Sequence, residues 1–77
     1  MNNMIEINEG KAIQFNYLNW KGEYGIRRVV HMTIHYGSTE YHPEKQWLME
    51  AYELDKQEVR IFAMKDMSNI RFIDQYL

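Results

Sequence analysis

Alternation of apolar and polar positions dominates the chain and is clearest over residues 24–36. The even positions read Tyr24, Ile26, Arg28, Val30, Met32, Ile34 and Tyr36. The odd ones read Gly25, Arg27, Val29, His31, Thr33 and His35. A period of two is the signature of a strand with one face toward a core. By this reading the even face is apolar with one arginine, Arg28, set into it. The segment is long for a strand, so a bend is expected, as in strands that wrap a small barrel.

The flanking segments follow the same rule. Ile13, Phe15 and Tyr17 alternate with Gln14, Asn16 and Leu18, and Asn19-Trp20-Lys21-Gly22-Glu23 supplies a turn, which makes a hairpin with the long strand. Upstream, Met4, Ile5 and Ile7 suggest a short edge strand that Asn8-Glu9-Gly10 breaks. The stretch Gly37-Ser38-Thr39-Glu40-Tyr41-His42-Pro43-Glu44 is a loop, since it gathers turn formers and the only proline. Gln46 to Leu54 reads as a strand with large apolar groups on both faces, as suits a central strand. Asp55-Lys56-Gln57 is a turn, and Glu58 to Met64 is the next strand. Lys65 to Asn69 reads as one short helical turn, and Ile70, Phe72 and Ile73 as a closing strand.

Five strands and no long helix predict a mostly β protein. A two-faced sheet would need a second layer, and no residues remain to build one, so the expectation is a small five-stranded β-barrel. At 77 residues this is a single domain spanning 1–77, with ragged ends at 1–10 and 74–77. A chain this short buries only about 60% of its unfolded surface, so nearly every large apolar residue is needed in the core.

Composition narrows the chemistry. There is no cysteine, which removes disulfides and thiolate catalysis and points to a reducing compartment. The longest apolar run, Ile61-Phe62-Ala63-Met64, is far short of the ~20 residues of a membrane helix. Met1 to Glu9 carries acids and asparagines where a secretion signal would be basic and then apolar. A cytoplasmic protein with no membrane contact is expected. The net charge of −2 argues against non-specific binding to duplex DNA. The charge is uneven, however: residues 24–36 hold Arg27, Arg28, His31 and His35 with no acid, whereas residues 40–58 are acidic.

Residues 46–64 carry a resemblance. Gln46-Trp47-Leu48-Met49-Glu50-Ala51-Tyr52, followed after a polar turn by Glu58-Val59-Arg60-Ile61-Phe62-Ala63-Met64, resembles the WYL domain family. That family opens a strand with Trp-Tyr-Leu and places Arg-x-Phe on the next. Arg28-Val29-Val30 stands where the family has an arginine opening its second strand, and the likeness extends weakly to Phe15-Asn16-Tyr17, covering about residues 12–73. The family's central tyrosine is Leu48 here, and a second basic position falls at Asp66. The resemblance implies an Sm-like small barrel. It also implies a pocket of arginines and aromatic groups that takes a nucleotide, a phosphorylated ligand or short single-stranded nucleic acid. Members usually sit behind a DNA-reading helix-turn-helix; these 77 residues contain none, so a stand-alone regulatory module is expected.

The candidate residues follow from both lines. Arg28 lies between Ile26 and Val30, and Arg60 in line with Phe62 and Met64. A guanidinium on an apolar face needs a counter-charge. It is either an external phosphate or carboxylate, or one of Glu50, Glu53, Glu58 and Asp66. Tyr52, Trp47 and Tyr17 either stack on bases or fill the core. His42, in the long loop, joins Arg28, Arg60, Tyr52 and Trp47 as the expected ligand-binding set. Trp20 in its polar turn and Tyr41 in the loop mark an interaction surface, which keeps open a second reading: a protein-binding module that works by strand addition or homodimerisation. His31, His35, His42 and Glu40 have no spacing that fixes zinc geometry, and no metal or cofactor is expected. There is no phosphate loop or nucleophile elbow, and Glu50 and Glu53 fall on opposite strand faces, so no enzyme is expected.

Overall fold

The computed structural model describes residues 5–73, with side chains from residue 11 onward. Five strands form one antiparallel sheet: β1 (Ile5–Leu18), β2 (Tyr24–Gly37), β3 (Gln46–Glu53), β4 (Glu58–Ala63) and β5 (Met67–Ile73). Their order across the sheet is β4-β3-β2-β1-β5. A single 3-10 turn, Met64–Asp66, carries the chain from one edge strand to the other. No helix among the described residues is long and apolar enough to cross a membrane.

The sheet is coiled. In a flat sheet β1 and β4 would lie roughly 14 Å apart, three inter-strand gaps of ~4.8 Å. Instead Phe15 and Tyr17 of β1 meet Phe62 of β4 with ring centroids 5.2 and 5.0 Å apart, edge to face. The buried Ala63 backbone N–H donates to the Tyr17 hydroxyl at 2.9 Å. These contacts form the centre of a core that also includes Ile13, Val29, Met32, Met49 and Ala51. The sheet therefore supplies its own second layer by curling. The described residues form no β4–β5 ladder, so the sheet remains open at that seam.

Two expectations about the strands change. Asn8-Glu9-Gly10 does not break the chain; residues 5–10, expected to be ragged, belong to β1. The register shifts between Ile7 and Ala12, which absorbs the extra residues as a bulge in one long strand. Met4 and residues 74–77 lie outside the described residues.

The second correction decides the site. The even face of β2 is not continuous, because His31 sits in the left-handed region (φ 55°) and the pairing with β3 shifts between Val30 and Thr33. This bulge reverses the parity. N-terminal to it, Arg27 and Val29 face the core, opposite Phe15 and Ile13; beyond it, Met32 and Ile34 do. Arg28 consequently stands on the solvent face and not on the apolar one.

Candidate functional site

Bulge and curl together bring three charged side chains to one place. Arg27 lies opposite Phe15, Arg60 opposite Ala51 and Glu53 opposite Val29, all on the core face. The Glu53 side chain is 1% exposed. Its Oε2 accepts from Arg27 Nη1 at 3.4 Å, and its Oε1 lies 3.6 Å from Arg60 Nη1. Arg60 also reaches the exposed Glu58 at 3.5 Å. A carboxylate buried this deeply requires compensation: Arg27 donates to Oε2, whereas Oε1 has the charge contact to Arg60 but no hydrogen-bond partner. With Glu58 included, two guanidiniums face two carboxylates, one buried and one exposed. Arg27 Nε is also buried with no hydrogen-bond partner.

Arg27 and Arg60 open into a cleft of about 970 Å³ that Glu53 backs. Tyr17 and Phe62 contribute to its floor, and the Arg27 guanidinium lies over the Tyr17 ring at 5.9 Å. Burial pushes the Tyr17 hydroxyl above its ordinary pKa, against the smaller opposing effect of the Ala63 hydrogen bond. Neutral phenol is thus the form that fits this floor.

Two turns build the rim. In the first, the Asn19 side-chain oxygen accepts from the N–H groups of Lys21 and Glu23 at 2.9 and 3.0 Å. Gly22, at φ 81°, closes the turn by donating to the Asn19 carbonyl. This leaves Trp20 projecting into solvent, 87% exposed, with Lys21 over its ring. In the second, the Thr39 hydroxyl accepts from the N–H groups of Tyr41 and His42 at 3.2 and 3.0 Å, and the Thr39 and His42 backbones bond reciprocally. Tyr41 is thereby held 81% exposed beside Glu40 and His42. Both aromatic groups project from hydrogen-bonded turns and face one cleft.

Of the residues singled out in the sequence, Arg60, His42, Trp20 and Tyr41 line this cleft, with Tyr17 buried in its floor. Three others do not. Arg28 is exposed and paired with Asp55 at 2.9 Å. Tyr52 lies on the opposite face, across from Val30 and Val59. Trp47 lines a separate groove with Tyr36. Arg27 is the addition; Glu53 and Glu58, both named in the sequence as possible internal counter-charges, are the ones that meet Arg60. Arg27 carried no signal of its own in the sequence: adjacent apolar residues such as Val29-Val30 also occur in unbroken register, as at Leu48-Met49. Glu53 continues the Met49, Ala51 line and could have been matched to Arg60 on that ground.

Comparison of the chain with protein-family models, with curated proteins and with solved structures finds no match.

Proposed function

We propose that the protein is a non-enzymatic, cytoplasmic binding module that takes up a nucleotide, a phosphorylated ligand or a short piece of single-stranded nucleic acid in this cleft. The observation that carries the reading is the pair of arginines sharing one buried carboxylate beneath two projecting aromatic rings. Arg27 Nε has no hydrogen-bond partner and Arg60 is 39% exposed, and planar arginine donors of this kind hold phosphate in bidentate fashion. Trp20 and Tyr41 offer faces for bases, and stacking of this kind contributes ~1–3 kcal/mol per base. The resemblance to WYL domains supports the same class of ligand, and the strand order, with a single turn joining the two edge strands, is compatible with a small Sm-like barrel. The basic position at the site is Arg27 in place of Arg28.

Calorimetric titration with nucleoside phosphates and short oligodeoxynucleotides tests the proposal. Arg60→Ala and Trp20→Ala should each weaken binding about tenfold or more, given ~1.4 kcal/mol per decade and the stacking energy above. Affinity unchanged in both variants would remove the cleft as the site. The second reading, a protein-interaction module, has its own support in the two open edges: β4 exposes Val59 and Ile61, and β5 exposes Ile70 and Phe72. Concentration-dependent self-association or strand addition, with no nucleotide binding, would favour it.

A further inference from the structure

A second concavity lies apart from the cleft and shares no lining residue with it. It is a groove of about 570 Å³ formed by β2, β3 and the 3-10 turn. Its base is Ile34 and Met64, which also pack on the core. One wall is the Tyr36–Trp47 pair, directly opposite each other in the β2–β3 register and edge to face at 5.2 Å. The Tyr36 hydroxyl donates to the Lys45 carbonyl at 3.3 Å, which ties that wall to the loop end. Lys45 and Lys65, from two separate segments, and Gln46, whose buried side-chain oxygen has no hydrogen-bond partner, complete the lining. Among the described residues neither lysine forms an ion pair, and no acid lines the groove.

We propose that this groove is a second binding site, specific for a small aromatic carboxylate. Each part of that chemistry answers one feature. The volume falls within the range of small-molecule sites, ~300–1,000 Å³. The half-exposed indole and phenol rings leave apolar area in water that a flat ring would cover, in the edge-to-face or offset geometry aromatic pairs favour. Two ammonium groups without an internal partner act as point charges, which suit a compact anion more than a planar, bidentate one. The groove presents lysines where the cleft presents guanidiniums, so the two surfaces differ in chemistry.

The test is a titration of the intact ¹⁵N-labelled protein with 2-naphthoate, and separately with neutral 2-naphthalenemethanol, followed by NMR. The two indole N–H signals report the two sites at once, Trp47 for the groove and Trp20 for the cleft. The expected result is a saturable shift at Trp47, whatever happens at Trp20, with binding at Trp47 at least tenfold tighter for the carboxylate than for the alcohol. In Lys45→Gln/Lys65→Gln that preference should vanish while the alcohol binds as before; both lysines are exposed, so the spectrum keeps its dispersion. No saturable shift at Trp47, equal affinity for acid and alcohol, or an undiminished preference in the double variant would each overturn the proposal. A shift confined to Trp20 would do the same and assign the probe to the cleft.

Discussion

Removing the Glu53 charge is the perturbation from which the largest effect is expected. Glu53→Gln keeps the volume of the side chain and deletes the counter-charge of Arg27, whose side chain is only 17% exposed. Removing one partner of a buried ion pair typically costs 3–5 kcal/mol, because the remaining charge stays in a place water cannot reach. Arg60 adds little to that figure. It is 39% exposed and keeps Glu58, so its share falls toward the 0–1 kcal/mol of a surface pair. The expected loss is therefore about 3 kcal/mol. For a domain of this size, where 1 kcal/mol moves Tm by ~4–8 °C, that is a drop of more than about 12 °C. Urea denaturation gives the free energy directly, with the m-value checking that the unfolding remains two-state. Replacing both members, Arg27→Met with Glu53→Leu, should restore most of the stability, since a well-packed apolar pair avoids both desolvation costs. A Glu53→Gln protein within about 1 kcal/mol of the parent would refute the buried-pair reasoning. So would a double variant less stable than the single one.

Other perturbations test the remaining pieces. Phe62→Ala, at the meeting point of the Phe15 and Tyr17 rings, should cost about 3–5 kcal/mol by thermal or chemical denaturation, because the curl of the sheet closes on that ring. His31→Gly should be neutral or mildly stabilising. His31→Val should cost ~1–3 kcal/mol, because a β-branched residue is strained at φ 55°. Tyr17→Phe leaves the buried Ala63 N–H without its acceptor, at about 1–3 kcal/mol. Tyr17 also gives a pH dependence. Its folded-state pKa is raised, so its contribution is complete below the unfolded value near 10 and is lost as pH climbs through the folded one. Stability should fall above about pH 10 in the parent and less steeply in Tyr17→Phe. Finally, binding of an oligonucleotide through one phosphate should weaken with salt at a log–log slope of about −0.7, far shallower than that of a many-phosphate binder.

The strands were legible because alternation is a local property: four of the five lie within a few residues of where periodicity places them, and β1 runs eight residues further back, to Ile5. The face of β2 was not legible from periodicity alone. One residue in the left-handed region, His31, inverts every position on one side of it, which exchanges Arg28 for Arg27 at the core. Asn8-Glu9-Gly10 misled for a related reason: turn-forming residues mark a break locally, but a bulge in a paired strand absorbs them. The site was half legible. Trp20, Tyr41, His42 and Arg60 were named because each is anomalous in its own neighbourhood, an aromatic in a polar turn or a guanidinium on an apolar line. Glu53 was one of four candidate counter-charges in the sequence, and the curl that brings β2, β3 and β4 around it is what selects it. Tyr52 lies elsewhere by alternation alone, since its neighbour Ala51 is the residue opposite Arg60, and Trp47 lines a separate groove with Tyr36.

The most direct measurement of the central claim is an NMR titration of the protein with a short oligodeoxythymidylate, following the arginine Nε–H and tryptophan indole signals together. The account predicts saturable shifts of Arg27, Arg60 and Trp20, with Arg28 and Trp47 unmoved. Shifts centred on Arg28, or no saturable change at the two core-facing arginines, would contradict it.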